Sequence, residues 1–196
     1  MATRGLIGFR LNEADKLAYN HYDSNPEHLG SRIWEEVREV DPDAWDIVRE
    51  RARSLVTISE QRQLGPNDGM VIAEMRRHLP EVKYDRQPRD YYDLFKPVQG
   101  TLRPYLNGKL TFMADGSDFI YDSLHCEWAY IVNLDAHAFE VWRGKQLNPS
   151  EEGAKRYDMG PDRMGYYPCA LLKSYRLNEL PDKRTFRKDT TLPKFP

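Results

Sequence analysis

Apolar residues near the N-terminus occur in short runs whose length is typical of β-strands. Residues 3–11 contain such a run, and a polar turn separates it from a second extended segment at 16–21. Two extended segments joined by a short polar turn are typical of a β-hairpin. We therefore predict a hairpin over residues 3–21, in which Gly5 and Gly8 mark a bulge or a close approach of a neighbouring backbone.

The middle of the chain has apolar residues three or four positions apart, which is the spacing of amphipathic helices. Asp41 and Pro42 are a typical N-cap and first helical residue, and Ser31 and Asp90 are placed to cap two other helices. Residues 80–90 are rich in charge and contain two prolines, and they are predicted to be an exposed loop. The predicted helices cover 32–40, 42–55, 70–78 and a segment from 91 onwards.

Residues 126–134 are apolar at both odd and even positions. A strand has this composition when both of its faces are covered, so the segment is predicted to be a central strand. A turn at 135–137 returns the chain along 138–143. We expect the first strand of the N-terminal hairpin to lie beside this second hairpin. Further strands are predicted at 110–113 and 167–175.

The predicted elements run in the order strands, helices, strands. Segregation of this kind favours an α+β fold with a mainly antiparallel sheet, built from the N-terminal and C-terminal hairpins and packed against the helical middle segment. We predict a single domain over residues 1–181. Residues 182–196 are basic and are expected to form a mobile tail.

Composition narrows the classes of protein that the chain can represent. Of its 196 residues, 40% are hydrophobic and 31% are charged, which is typical of a globular protein. The net charge of −2 argues against a nucleic acid partner, since such proteins usually carry a basic surface. Two cysteines do not make a disulfide-stapled secreted domain, and no apolar run is long enough for a membrane span or a signal peptide. We expect a cytoplasmic protein without a membrane partner.

The loop after the N-terminal hairpin, residues 21–26, is the strongest candidate site. A strand end often exposes side chains to a ligand, and His21 with Asp23 could form an acid/base pair or contribute two metal ligands. Tyr22, Asn25 and Arg4 are further candidate binding residues. The alternative is structural: Asp23 shapes the turn and His21 is a satisfied edge-strand residue. No second pair of ligands at metal spacing is visible, so neither a metal nor a cofactor is predicted.

Glu127 is the third catalytic candidate, after His21 and Asp23. It lies within an apolar strand, where a buried carboxylate needs a partner. Arg4 on the neighbouring strand is the predicted partner, either in an ion pair that sets strand register or in a catalytic site. Cys126 is predicted to be a buried apolar residue, because His125 beside it points to the opposite face of the strand.

The segments 2–9 (ATRGLIGF), 19–26 (YNHYDSNP) with Gly30, 126–135 and 139–144 together resemble a family of small uncharacterised proteins from bacteriophages and some bacteria. Members of that family open with a Thr-Arg-Gly strand, followed by a His-x-Asp-x-x-Pro loop and a Gly before a helix. The resemblance covers about a quarter of the chain. It implies a phage protein that acts in the cytoplasm of a bacterial host, and it implies no particular reaction.

Three functions are compatible with these patterns. The first is a binding protein that engages a host protein or a small ligand, which the tyrosine-rich loops and the missing catalytic motif favour. The second is a hydrolase-like enzyme, which requires His21, Asp23, Arg4 and Glu127 to converge in one pocket. The third is a structural or assembly protein with a large symmetric interface. The sequence does not indicate an oligomeric state or whether the chain is catalytic.

Overall fold

A computed structural model describes residues 3–80, 82–84, 86–157 and 159–191, with the side chains of 152–154 left aside. Seven strands form in the described residues, and all but two of them join a single sheet. The strands are β1 (Arg4–Leu11), β2 (Ala14–Asn20), β3 (Val56–Ser59), β4 (Phe112–Asp115), β5 (Cys126–Asn133), β6 (Ala138–Arg143) and β7 (Ala170–Arg176).

The main sheet has the strand order β2-β1-β5-β6-β7. Neighbouring strands are antiparallel except for β1 and β5, which run parallel at the centre. The predicted α+β fold and the central position of β5 beside β1 are confirmed. The sequence analysis missed β3, which pairs in parallel with β4 as a separate two-stranded sheet.

The helices occupy the positions that the apolar spacing predicts in the middle of the chain. Asp90 caps its helix as predicted, by accepting a hydrogen bond from the backbone of Asp93. The predicted cap at Ser31 is wrong, because Ser31 is the first helical residue and its hydroxyl donates to the carbonyl oxygen of Pro26, 2.8 Å away. The helices are α1 (Ser31–Arg38), α2 (Trp45–Ser54), α3 (Gly69–His78), α4 (Tyr91–Phe95), α5 (Arg103–Leu106), α6 (Glu151–Arg156) and α7 (Lys183–Thr190).

Shorter helical turns connect these elements. A π-helical turn precedes α1, and 3-10 turns precede α2 and α3 and follow α4 and β7. One more 3-10 turn lies between β4 and β5. The turns are Pro26–Gly30, Pro42–Ala44, Pro66–Asp68, Lys96–Val98, Ser117–Tyr121 and Leu177–Glu179.

The two faces of the sheet pack against different parts of the chain. Phe139 and Val141 of β6 face the main core, where the helices of the middle segment and α7 cover the sheet. Trp142 faces the opposite side and joins a smaller apolar cluster with Ile131 and Tyr157. This alternation places nearly every side chain of β6 out of solvent, as the pattern of a covered strand predicts.

A β-bulge interrupts the pairing of β1 with β5. Arg4 is opposite Cys126 but Gly5 is opposite Trp128, so Glu127 is an extra residue on β5. A Cβ atom on Gly5 would lie 2.3 Å from the carbonyl oxygen of Trp128, so only glycine allows the two backbones to approach this closely. The predicted role of Gly5 at a bulge is confirmed.

The basic C-terminal segment differs from the expected mobile tail over the residues that the structure describes. Asp182 caps α7 by accepting a hydrogen bond from the backbone of Thr185, 2.9 Å away. Phe186 is fully buried and its ring packs against those of Trp34 and Phe139. The Phe186 ring and a hydrogen bond from the Arg187 guanidinium to the Ser31 hydroxyl, at 2.9 Å, therefore attach the helix to the rest of the protein. Residues 192–196 lie outside the described part of the chain.

Candidate functional site: a polar cleft beside the loop after β2

The loop that follows β2 is held by backbone and side-chain hydrogen bonds. The backbone N–H of Ser24 donates to the carbonyl oxygen of Thr3, at 3.0 Å, and the Asn20 amide donates to the Ser24 hydroxyl, at 2.7 Å. Tyr130 of the central strand donates its hydroxyl proton to the carbonyl oxygen of Ser24, 2.9 Å away. These contacts fix the loop to the centre of the sheet.

The second half of the loop turns the chain into α1. Asp23 has a left-handed backbone with φ of 52°, a conformation that Asp tolerates better than most residues. Its carbonyl oxygen accepts a hydrogen bond from the N–H of Leu29, at 3.1 Å. Asn25 accepts one from the N–H of His28, at 3.0 Å, and so caps the π-helical turn. Irregular turns of this kind are frequent at functional sites.

A polar cleft of about 330 Å³ opens beside this loop, and we call it the β2 cleft. Four segments contribute to it: the end of β2 with its loop, the π-helical turn, the first turn of α1, and the 3-10 turn after α4 with the residue that follows it. Its volume falls at the lower end of the range for small-molecule sites. The lining residues are Asn20, Tyr22, Asp23, His28, Leu29, Arg32, Lys96 and Gln99.

Charged side chains of both signs line the β2 cleft, with cations in excess. Arg32 and Lys96 carry positive charge and Asp23 carries the one negative charge among the lining residues. Arg32 donates one hydrogen bond to the carbonyl oxygen of Gly100, at 3.3 Å. Within the described ranges, the Lys96 ammonium and the Asp23 carboxylate have no hydrogen-bond or ion-pair partner. The cleft therefore holds cationic groups whose hydrogen-bonding capacity the protein leaves largely unused.

The structure separates the predicted binding residues. Tyr22 and Asp23 line the β2 cleft, and Asn25 shapes the turn beside it. His21 is not among the lining residues: its Nδ1 is 2.9 Å from the hydroxyl oxygen of Tyr19, and its ring lies edge-on to that of Tyr22. Arg4 does not line the cleft either: its guanidinium is 6.0 Å from the centre of the Phe119 ring and interacts with Tyr19, the residue that also contacts His21.

The predicted pairing of Glu127 with Arg4 is wrong. Glu127 makes its ion pair with Lys145, at 2.7 Å. The physical reason is the β-bulge, because Glu127 is the extra residue at the point where the register with β1 shifts. No contact among the described residues joins Glu127 to His21 or Asp23, so the four residues that the hydrolase hypothesis needs do not form one cluster.

The two cysteines are free thiols and are fully buried. Cys169 donates a weak hydrogen bond from its thiol to the carbonyl oxygen of Cys126, at a distance of 3.4 Å. Burial raises the pKa of the Cys126 thiol well above its ordinary value, which disfavours a reactive thiolate. His125 points away and its Nδ1 pairs with Asp122, at 2.9 Å. The prediction that Cys126 is a buried apolar residue is confirmed.

An acidic cleft of about 420 Å³ lies at the ends of β3 and β4. Glu60, Asp115, Asp118 and Asp122 line it. Burial, with the charges of Asp115 and Asp90, raises the pKa of Glu60 to about 7. Across the described ranges, no three or more His, Cys, Asp or Glu side chains come together in a way that could hold a metal ion.

Glu140 is a buried carboxylate that the sequence analysis did not single out. It accepts hydrogen bonds from both guanidinium nitrogens of Arg156, at 2.6 and 2.8 Å. The indole N–H of Trp142 and the amide of Asn133 also donate to it, at 2.9 and 2.7 Å. Each oxygen thus has two donors, so this network is satisfied internally and fixes α6 to the sheet.

The loop that forms one side of the β2 cleft could be predicted from the sequence, whereas the opposite side, formed by Lys96 and Gln99, could not. The loop at 21–26 stood out by its composition. Arg32 offered a weaker signal, as a polar residue on an amphipathic helix that directly follows the loop. Lys96 and Gln99 gave none, because only the tertiary fold brings a segment about 70 residues further along the chain to the loop.

The described part of the chain contains no helix that is both long and apolar enough to cross a membrane. No protein-family model, no curated protein and no solved structure matches the chain.

Proposed function

We propose that the protein is a binding protein for a small phosphorylated ligand, which it holds in the β2 cleft. One observation carries the proposal: Arg32 and Lys96, from separate elements, line one cleft, and their positive charge has no carboxylate partner among the described residues. Cations that the protein itself does not neutralise are available to an anion. Arg and Lys are also the side chains that most often bind phosphate oxygens.

The other lining residues are suited to a ligand that has polar groups and a planar ring in addition to its phosphate. Gln99 offers an amide group, and Asp23 can accept hydrogen bonds from hydroxyl or amino groups of the ligand. Tyr22 is 63% exposed, which is unusual for a large aromatic residue. An exposed ring at the edge of a polar cleft offers a stacking surface for a planar base. A nucleoside monophosphate combines these features.

Isothermal titration calorimetry with adenosine, cytidine, guanosine and uridine monophosphates tests the proposal. We expect at least one of them to bind, with inorganic phosphate weaker and the uncharged nucleoside weaker still. Arg32→Gln and Lys96→Gln should each reduce the affinity roughly tenfold, because each removes a charge-assisted hydrogen bond. Tyr22→Ala should reduce nucleotide binding but leave phosphate binding unchanged.

Lys109→Gln is the matched control, since Lys109 is exposed and lies outside this cleft. It removes the same charge and should leave the affinity unchanged. Equal losses in all three lysine and arginine variants would show a non-specific charge effect and would contradict the site. So would the absence of binding by phosphate and by all four nucleotides at millimolar concentration.

The other functions predicted from the sequence lead to different experimental results. A host-protein partner captured equally by wild-type protein and by Arg32→Gln would favour a protein-binding surface over this cleft. A hydrolase would convert one of the nucleotides during the titration, which chromatography of the recovered ligand detects. An assembly protein would form a symmetric oligomer, which light scattering measures. The phage setting remains a prediction from the resemblance.

A further inference from the structure

A larger cleft of about 520 Å³ is lined by α3, by Leu94 of α4, by residues 64–66 and by residues 84 and 87–89, and we call it the α3 cleft. The two clefts have no lining residue in common. Its volume falls within the range typical of small-molecule sites, which runs from roughly 300 to 1,000 Å³.

Apolar side chains form most of the wall of the α3 cleft. Leu64, Ile72 and Tyr84 pack against the main core with one side and remain partly open to the cleft with the other. Met75 and Leu94 are buried behind them. Such a wall favours the apolar body of a ligand.

The aromatic residue in this wall is fixed within the protein. Tyr84 donates its hydroxyl proton to the carbonyl oxygen of Leu94, at 2.7 Å. Its polar end is therefore occupied by the protein, and the ring is held in place against the cleft.

Two arginines contribute the charge of the α3 cleft. No Asp or Glu is among its described lining residues, whereas Arg76 and Arg89 both are. Among the described residues, the Arg89 guanidinium pairs only with Asp93, at 3.4 Å, and Arg86 pairs with the same carboxylate. Arg76 has no hydrogen-bond or ion-pair partner in the described parts of the chain. An apolar wall beside a guanidinium that no described carboxylate neutralises matches a ligand that is apolar at one end and negatively charged at the other.

We infer that the α3 cleft is a second binding site, for a small amphipathic carboxylate of the fatty-acid type. The hydrocarbon body lies against Leu64, Ile72 and Tyr84, and the carboxylate pairs with Arg76, with Arg89 beside it. The inference is independent of the function proposed for the β2 cleft. Burial of the hydrocarbon contributes affinity, and the guanidinium selects the charged head group, since Arg binds carboxylates through two parallel hydrogen bonds.

Octanoate and octan-1-ol are a matched pair of probes, because they share the hydrocarbon chain and differ in charge. We expect octanoate to bind to the full chain and octan-1-ol to bind roughly tenfold more weakly, as measured by calorimetry. Arg76→Gln should reduce octanoate affinity roughly tenfold and leave octan-1-ol affinity unchanged. Arg77→Gln is the control, since Arg77 is the next residue of α3, is exposed, and does not line the cleft.

A second variant distinguishes the contribution of the apolar wall to affinity from the contribution of the arginine charge. Ile72→Gln makes the wall polar and should weaken both probes, and circular dichroism checks that the variant folds. Equal binding of the two probes would overturn the inference, because the arginines would then contribute nothing. Equal losses in Arg76→Gln and Arg77→Gln would overturn it too, as would binding of an acidic amphipathic peptide without octanoate. Nucleotides should not compete with octanoate, so failure at one cleft is distinguishable from failure at the other.

Discussion

A Cβ atom on Gly30 would lie 2.7 Å from the hydroxyl oxygen of Tyr130 and 2.8 Å from two of its ring carbons. The same hydroxyl donates to the carbonyl oxygen of Ser24, at 2.9 Å. The tyrosine of the central strand therefore fills the space beside the helix start and holds the loop that forms the β2 cleft. Gly30 has ordinary helical backbone angles, so the space, and not the conformation, requires glycine at this position.

Gly30→Ala should destabilise the protein by about 1–3 kcal/mol, the typical cost of overpacking a core. Urea denaturation measures the change in the free energy of unfolding. Gly69→Ala is the matched control: Gly69 also begins a helix, but nothing lies within 4 Å of its Cβ position. This control should be neutral or slightly stabilising. A Gly30→Ala variant as stable as the wild type would show that Tyr130 moves aside without cost.

The pair of Glu140 and Arg156 should behave differently in single and double substitutions. Glu140→Leu leaves the largely buried Arg156 guanidinium without its carboxylate and should cost about 3–5 kcal/mol. The double variant Glu140→Leu with Arg156→Met removes both charges and should cost considerably less. A double-mutant cycle of urea denaturation curves measures the coupling. Additive effects would contradict the interaction.

Glu60 should make stability depend on pH. Its pKa rises from 4.5 to about 7 in the folded protein, chiefly through burial and then through the charges of Asp115 and Asp90. Between these two values the folded state binds more protons than the unfolded state, so the free energy of unfolding falls as the pH rises through this window. Glu60→Gln should therefore be stabilising by about 1 kcal/mol at pH 8, a figure reduced for the half-exposed side chain.

The advantage of Glu60→Gln should be nearly lost near pH 4.5, because the folded wild-type side chain is then protonated and the unfolded one is already half protonated. Urea denaturation at pH 4.5, 6 and 8 follows the difference between variant and wild type. Glu179→Gln, at an exposed position, should show no such trend. A difference that stays constant across the three pH values would rule out the raised pKa of Glu60.

Glu36 is expected to be important for the segment that lies beside the β2 cleft. Its buried carboxylate accepts hydrogen bonds from the backbone of Leu102 and Arg103, at 2.7 and 3.0 Å, and from the Thr101 hydroxyl, at 2.7 Å. Glu36→Ala leaves these donors without a partner and should cost about 2–4 kcal/mol in the free energy of unfolding. Glu39→Ala removes an exposed carboxylate directly after the same helix and should have an effect below about 1 kcal/mol in the same assay.

The elements that could be predicted from the sequence are those whose signals are local. Residues 126–134 are apolar at both odd and even positions because β5 is covered on both faces. Asp41 and Pro42 mark a helix start directly. The short strand β3 was missed because it is half-exposed and alternates polar with apolar residues over only four positions. Helix α7 was missed because Phe186 is its one fully buried apolar side chain.

The candidate site could be predicted only in part, because a site depends on contacts between distant segments. The loop at 21–26 has a composition typical of exposed turns at strand ends. The error at Glu127 arose from one extra residue in a strand, which changes the partner of every side chain at that point. Lys96 reaches the β2 cleft through the tertiary fold alone.

The parallel pairing of β1 with β5 has a consequence for how the chain folds. Phe9 is paired with Val132, so the two central strands of the sheet are more than 100 residues apart in the sequence. Contacts of such separation carry a large loop-closure entropy and are associated with slow folding. During synthesis the hairpin of β1 and β2 emerges before β5, and the apolar edge of β1 stays without this neighbour until β5 leaves the ribosome. Chaperone dependence and aggregation of truncated chains would be the cellular signs of this delay.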